Sequence, residues 1–222
     1  GRAYIFYSAG SSGVLTMSAG SATTIFTGEA ASNQFGFSVS LGDANGDGYA
    51  DAIVGGHGYS AFQGRVYIFY SAGSSGIASL AAGSATSILT GIASSQFGNS
   101  AALGDVNGDG YMDAIVGAYQ SSQGKAYIFH SAGSSGILTV GAASATTTLT
   151  GEVGGNQFGN SVAFGDVNGD GYMDAIVGAN FYSTNTGRAY IFVSAGSSGI
   201  STTTGASAAS IFTGEATNNY LG

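Results

Sequence analysis

Residues 43–55 read Asp-Ala-Asn-Gly-Asp-Gly-Tyr-Ala-Asp-Ala-Ile-Val-Gly, and near-copies occupy residues 105–117 and 166–178. The first nine residues carry oxygen-bearing side chains at positions 1, 3, 5 and 9, with a glycine at position 6. A tight loop with ligands at alternate positions suits Ca²⁺, and glycine permits the sharp turn. The apolar, β-branched end predicts a strand. The stretch therefore predicts a calcium-binding loop that leads into a β-strand.

Each loop offers the same predicted ligands: four side chains, and the backbone carbonyl of the tyrosine at position 7. They are Asp43, Asn45, Asp47, Tyr49 and Asp51; Asp105, Asn107, Asp109, Tyr111 and Asp113; and Asp166, Asn168, Asp170, Tyr172 and Asp174. Nine of the twelve acidic residues of the chain lie in these loops. Three carboxylates so close together repel one another without a cation, so we expect three Ca²⁺ sites. The alternative is an Asx-rich turn without an ion, because Asn, Asp and Gly favour turns anyway.

The loop does not follow the EF-hand pattern. An EF-hand needs a glutamate at the twelfth position, where the three copies have Val54, Val116 and Val177. Each copy continues into a strand and not a helix, so we expect the loop to join two strands.

Composition excludes several classes of protein. The chain of 222 residues has no cysteine, which excludes disulfides and thiol chemistry. Its net charge of -8 and lack of basic clusters argue against nucleic acid. A hydrophobic content of 44% suffices for a core, yet no apolar run is long enough to span a bilayer. His57 and His130 do not repeat and no catalytic motif occurs, so we expect no enzyme activity.

Internal repetition decides the fold class. The hexapeptide Gly-Arg-Ala-Tyr-Ile-Phe starts at Gly1 and returns, with small changes, at Gly64, Gly124 and Gly187. Each copy is followed by Ser-Ala-Gly-Ser-Ser-Gly. One unit predicts strands at 35–41, 51–55, 65–70 and 87–90. Four short antiparallel strands per unit predict an all-β fold of β-propeller blades, and a parallel β-helix is a less favoured alternative.

The period predicts the domain organisation. We expect one propeller segment with a half blade at 1–33, full blades at 34–95, 96–156 and 157–216, and the start of another repeat at 217–222. The strands expected at 2–7 and 23–27 match strands 3 and 4 of a blade, which favours a segment of a longer array. Open blade edges at both ends favour self-association or cover by flanking chain.

In a four-strand meander, two kinds of loop lie on the face opposite the metal loops. The 2–3 loop joins strands 2 and 3 of one blade, and the 4–1 loop joins strand 4 to strand 1 of the next blade. The 2–3 loops, 57–63, 119–123 and 180–186, differ in sequence and contain Tyr, Phe, Asn and Gln. Variable loops on a rigid scaffold suit binding of a protein or glycan partner. The alternative is that they vary because nothing constrains them.

All four basic residues of the chain share one repeat position: Arg2, Arg65, Lys125 and Arg188. We expect ion pairs with the glutamates of the 4–1 loops, Glu29, Glu152 and Glu215. An anion-binding rim is the alternative. The one 4–1 loop without a glutamate has Ile92, and it leads into the blade that carries Lys125.

Together, Phe-Gly at 35, 97 and 158, the aspartate loop and the Val-Gly after it resemble FG-GAP repeats. Such repeats form the propeller blades of integrin α-subunits and of many bacterial surface proteins. The chain departs from them by lacking the Pro of the Gly-Ala-Pro element, and Tyr220-Leu221-Gly222 stands where Phe-Gly is expected.

The resemblance implies a calcium-stabilised, non-enzymatic propeller for extracellular or cell-surface adhesion or recognition of a protein. The alternatives are a lectin-like propeller and the propeller part of a secreted polysaccharide-active enzyme.

Overall fold

The structure is a computed structural model that describes residues 1–222, and its fold is all-β. The strands, in chain order, are β1 Arg2–Ile5, β2 Thr24–Thr27, β3 Ser38–Gly42, β4 Asp51–Gly56, β5 Arg65–Phe69, β6 Ser87–Thr90, β7 Ala101–Gly104, β8 Asp113–Ala118, β9 Lys125–Phe129, β10 Val140–Gly141, β11 Thr147–Thr150, β12 Val162–Gly165, β13 Asp174–Ala179, β14 Arg188–Phe192, β15 Thr203–Thr204 and β16 Ser210–Thr213.

Helical structure is limited to single turns. The α-helical turns are α1 Tyr59–Phe62 and α2 Tyr182–Asn185, and the 3₁₀ turns are Gly10–Ser12, Ala19–Ser21, Ala31–Asn33, Gly73–Ser75, Ala82–Ser84, Gly133–Ser135, Ala142–Ser144, Gly196–Ser198 and Gly205–Ser207. None of them is long or apolar enough to cross a membrane.

The strands form three full blades and a half blade, as predicted. The first blade pairs β3, β4, β5 and β6 in order, all antiparallel. The second consists of β7, β8, β9 and β11, and the third of β12, β13, β14 and β16. The half blade contains only β1 and β2. One prediction is corrected: strand 1 of the first blade begins at Ser38, because Gly36 before it has a φ of +88° and leaves the extended conformation.

The hydrophobic core lies between blades rather than within one. Phe26 of the half blade stacks on Phe69 of the first blade, with ring centroids 4.0 Å apart. In the same way, Ile68 of the first blade and Tyr127 of the second belong to one buried cluster. Both faces of strands 2 and 3 are therefore covered in the first two blades, which explains why these strands are nearly continuous apolar runs.

The Phe-Gly pair attaches each blade to the one before it. Phe97 is fully buried and bridges the backbone of Gly64 in the preceding blade. The next residue, Gly98, accepts a 2.9 Å hydrogen bond from the Ser38 hydroxyl. A Cβ atom on Gly55 would collide with the Gly98 carbonyl oxygen. The glycine after strand 2 is thus required by this close approach of two backbones.

A short outer strand, which the sequence did not predict, also links neighbouring blades. β10 of the second blade pairs in parallel with β6 of the first, and β15 of the third pairs with β11 of the second. The residue before each outer strand accepts a hydrogen bond through its hydroxyl from a backbone amide of the preceding blade. For example, the Ile88 amide donates to the Thr139 hydroxyl at 3.0 Å. We call residues 14–18, 77–81, 137–141 and 200–204 the lacing segments.

His130 replaces a tyrosine that joins two blades elsewhere. At the equivalent position, the Tyr70 hydroxyl donates to the Ile137 carbonyl at 3.0 Å, and the Tyr7 hydroxyl accepts the Ile77 amide at 2.7 Å. His130 Nε2 is buried without a hydrogen-bond partner. Burial also lowers the pKa of His130, so its neutral form is favoured.

We therefore predict that His130→Tyr stabilises the protein, by about 1 kcal/mol for one restored hydrogen bond. Urea unfolding monitored by circular dichroism measures the change. The matched control is Tyr70→Phe, which removes the same bond one blade earlier and should lower the free energy of unfolding by a similar amount. Destabilisation by His130→Tyr would contradict the equivalence of the two blade junctions.

Candidate metal centre

The three aspartate loops connect strands 1 and 2 of the full blades, and all three have the same internal hydrogen bonds. Asp43 Oδ1 accepts the amides of Gly46 at 2.7 Å and Asp47 at 3.1 Å, and its Oδ2 accepts the Gly48 amide at 2.7 Å. In the third loop the Gly171 amide, with others, holds the pKa of Asp166 below its ordinary value. The first aspartate thus orders the loop backbone around its own carboxylate.

Positions 3 and 5 face the same loop. Asn45 donates from Nδ2 to Asp47 Oδ2 at 3.2 Å, and Asp47 Oδ1 accepts the Tyr49 amide at 2.9 Å. Gly46 and Gly48 have φ values of 71° and 85°. Glycine is therefore required at position 4 as well as at position 6. The sequence analysis identified only the glycine at position 6.

The aspartate at position 9 occupies a different environment. Asp51, Asp113 and Asp174 are almost completely buried at the start of strand 2. Asp51 Oδ2 accepts the Ala44 amide at 2.9 Å and Oδ1 accepts the Ser71 amide at 2.8 Å, and the other two blades repeat both bonds. Burial raises the pKa of Asp113 to about 7, against the opposing effect of these hydrogen bonds.

Sequence reasoning missed the serine that begins each constant turn. The amides of Ser71, Ser131 and Ser194 hold the buried aspartates. The Ser131 hydroxyl also donates to the Ala44 carbonyl of the preceding loop at 2.8 Å. The repetition of Ser-Ala-Gly-Ser-Ser-Gly was the available signal, but it indicated only a turn.

Neighbouring loops are in direct contact. The Met112 amide donates to the Asp43 carbonyl at 3.1 Å, and the Met173 amide donates to Asp105 at 3.0 Å. The Tyr111 ring lies so close to Gly46 that a Cβ atom there would collide with it. The tyrosine side chain at position 7 thus packs on the loop of the preceding blade.

Within each loop, the side chains at positions 1, 3 and 5 lie together. The aspartate at position 9 instead accepts hydrogen bonds from the serine amide of the constant turn and from an amide of its own loop. No group of three or more His, Cys, Asp or Glu side chains converges closely enough to hold a metal ion. The donor set nevertheless fits a hard cation, because it consists of oxygen atoms only. Burial raises the pKa of Asp51, and the charges of Asp47 and Asp43 raise it further. A cation beside these carboxylates would offset both effects.

On the opposite face, the predicted ion pairs are confirmed in two blades. Arg65 lies 3.5 Å from Glu29, and Arg188 lies 3.0 Å from Glu152. Each guanidinium also stacks 3.7 Å above the ring of a tyrosine, Tyr59 or Tyr182. These contacts occupy Arg65 and Arg188, two of the four basic side chains, which disfavours an anion-binding rim built from the full set.

The variable loops are anchored at their ends and exposed at their tips. The Gln96 amide of a 4–1 loop donates to the Phe62 carbonyl at 2.8 Å, so 2–3 and 4–1 loops lie on one face. His57 is buried against Phe37, with ring centroids 4.3 Å apart. The side chains of Phe62 and Phe181 are exposed. The face thus presents aromatic side chains on a hydrogen-bonded frame.

We predict that the buried and exposed aspartates of one loop differ in their effect on the metal-free protein. Asp113→Ala leaves the buried Val106 amide and the partly buried Ser131 amide unpaired and should lower the free energy of unfolding by about 2–3 kcal/mol. Asp109→Ala removes only exposed contacts and should cost less than about 1 kcal/mol. Urea unfolding in excess chelator tests this, and equal losses would contradict the structural role of the buried aspartate.

Comparison with known proteins identifies the repeat. The model of the FG-GAP repeat matches residues 35–69, 97–129 and 158–192. Integrin alpha-7 of Rattus norvegicus is 37% identical over 164 residues, which is 70% of this chain and 13% of the relative. Integrin alpha-6 of Gallus gallus is 36% identical over 164 residues, which is 70% of this chain and 14% of the relative. Integrin alpha-PS5 of Drosophila melanogaster is 32% identical over 168 residues, covering 70% and 16%.

Proposed function

This chain is an FG-GAP repeat protein, and we propose that it is a calcium-binding, non-enzymatic propeller segment that recognises a protein partner outside the cell. The observation that carries the proposal is that the same loop occurs three times, each time with oxygen-only donors and a buried aspartate. The similarity to integrin alpha subunits supports an adhesive role. The chain spans only 13% to 16% of the length of the three relatives described above, so their other properties are not transferred.

The proposed ligands in each loop are the oxygen atoms at positions 1, 3, 5 and 9, with the carbonyl of the tyrosine at position 7. Ca²⁺ suits this set because it accepts many oxygen ligands in flexible geometry, whereas Mg²⁺ retains its waters. The bound ion would supply positive charge where three carboxylates, one of them buried, lie in one loop. The protein contributes the ordered loop backbone and the fixed position of the buried aspartate.

Calcium would then act as a stabiliser of the blades. With a dissociation constant of ~0.1 mM and ~1 mM free Ca²⁺, as outside cells, each site adds about 1.4 kcal/mol. Three such sites add about 4 kcal/mol, a large share of a typical net stability. Since cytosolic Ca²⁺ is far lower, this dependence supports an extracellular or cell-surface location.

We predict that millimolar Ca²⁺ raises the thermal midpoint of chelator-treated protein, and that equal Mg²⁺ has a smaller effect. Calorimetry with each ion measures the affinity. In Asp109→Ala the bound Ca²⁺ should fall from three per chain towards two, because repeat units interact mainly with their neighbours. An unchanged midpoint, or equal affinity for both ions, would contradict the calcium assignment.

The partner would bind the variable loops 57–63, 119–123 and 180–186. Exposed aromatic side chains in the first and third of these loops, Phe62 and Phe181, suit a protein interface. A glycan is the competing ligand, because aromatic rings also stack on sugars.

We predict that the Ca²⁺-loaded protein binds a protein on an array of purified extracellular proteins rather than a sugar on a glycan array. The double variant Phe62→Ser/Phe181→Ser should lose binding at least about tenfold if these rings are anchors. The control Leu138→Ser changes another exposed apolar side chain, outside these loops. Binding to glycans alone would show a lectin, and full binding by the double variant would exclude this face.

A further inference from the structure

A backbone hydrogen bond joins each aspartate loop to the next one along the chain. The first, second and third loops are residues 43–51, 105–113 and 166–174. The Met112 amide of the second loop donates to the Asp43 carbonyl of the first at 3.1 Å, and the third loop repeats this bond to the second. The acceptor, at position 1, is a proposed ligand of its own loop, and the donor, at position 8, lies between two proposed ligands of the next loop. One bond thus fixes residues of two metal sites relative to each other.

The tyrosine at position 7 adds a side-chain contact between the same loops. The Tyr111 ring lies against Gly46 of the first loop, and the Tyr172 ring lies in the same way against Gly108 of the second. This glycine, at position 4, stands between the proposed ligands at positions 3 and 5. On its other side the Tyr111 ring faces Gly133 of the constant turn in its own blade. The ring is therefore held between its own blade and the metal loop of the preceding one.

The serine of the constant turn supplies a third link. The Ser131 hydroxyl donates to the Ala44 carbonyl of the first loop at 2.8 Å, while its amide donates to Asp113 of the second at 2.8 Å. The hydroxyl bond recurs in the third blade, where Ser194 donates to the Val106 carbonyl at 2.6 Å. The buried aspartate at position 9 is thus connected to the backbone of the preceding loop.

These contacts join positions 1, 2 and 4 of one loop to positions 7, 8 and 9 of the next. An ion held by one loop would order that loop's backbone, and the contacts would carry the order to the position 7 carbonyl and the position 9 carboxylate of its neighbour. A ligand set that is ordered beforehand binds an ion with a smaller loss of conformational entropy. The effect is reciprocal, because coupling between two binding sites has the same magnitude in both directions.

We propose that neighbouring metal loops bind Ca²⁺ with positive cooperativity, and that the rings of Tyr111 and Tyr172 are the positioning groups that transmit it. This coupling rests on the calcium assignment of the proposed function and adds how the sites influence one another. The first and third loops share no hydrogen bond with each other, so coupling passes between neighbours. A filled loop should raise the affinity of its neighbour at least about fivefold.

Two variants with the same chemical change and the same number of sites distinguish adjacent loops from separated ones. Asp47→Ala and Asp109→Ala each remove an exposed ligand at position 5. Asp47→Ala retains two adjacent loops, the second and third, whereas Asp109→Ala retains the first and third. By equilibrium dialysis against buffered Ca²⁺, Asp47→Ala should bind with a Hill coefficient above about 1.3, which corresponds to about fivefold coupling, and Asp109→Ala with at most about 1.

The role of the ring is tested in Asp170→Ala, which retains the first and second loops. Adding Tyr111→Ala removes the ring but keeps the backbone carbonyl, so both remaining sites should still fill while the Hill coefficient falls to about 1. Tyr111→Phe keeps the ring on Gly46 and should preserve cooperativity. The control Leu138→Ala changes an exposed side chain of the same blade and should also preserve it.

Hydrogen exchange provides a readout that does not depend on affinity. In Asp109→Ala, whose second loop lacks a ligand, Ca²⁺ should slow exchange of the Met112 amide at least about fivefold, because its acceptor belongs to the first loop.

Equal Hill coefficients for Asp47→Ala and Asp109→Ala would overturn the coupling and leave the calcium assignment standing, as would a Hill coefficient below 1 for Asp47→Ala. Unchanged cooperativity in Tyr111→Ala would overturn the role of the ring. If the unchanged chain bound no Ca²⁺, the calcium assignment and the coupling would fail together.

Discussion

A buried carboxylate joins the two chain segments on the metal-loop face of every full blade. Asp51 accepts one amide from its own loop, at Ala44, and one from the turn after strand 3, at Ser71. Because a buried charge is costly without partners, the loop and the turn must stay in register to supply these donors. The same residue is the expected ligand at the end of the metal loop. Loop conformation and blade geometry therefore depend on one side chain in each repeat, and the proposed calcium site would share it.

Contacts between blades extend this local constraint along the chain. The serine that presents its amide to Asp113 also reaches the Ala44 carbonyl of the preceding loop through its hydroxyl. On the outer side the lacing segments pair with the preceding strand 4, and on the opposite face Arg65 reaches back to Glu29. Neighbouring blades thus meet at the loop face, the outer edge and the variable face. A change in one loop has a physical route to the next one.

The sequence predicted what repeats within one unit. It gave correct expectations for the blade type, for strand 2 at Asp51–Gly56 and for the pairing of Glu152 with Arg188, because pattern and charge are local. It missed β10 and β15, since two residues carry no alternation and their partners lie in another blade. It also missed the Ser71 amide, because backbone donors have no sequence signature. The domain boundaries and the complete ligand sets stay predictions.

The placement of the core between blades has a consequence for synthesis on the ribosome. The face of the first blade that packs against the second blade is covered only when Phe97 and Tyr127 have emerged, about one repeat later. At roughly 5–20 residues per second, that apolar surface is open for several seconds on the nascent chain. Folding therefore proceeds one step behind translation, and each new repeat completes the preceding one. The newest blade is always the species that a chaperone or a wrong partner would meet.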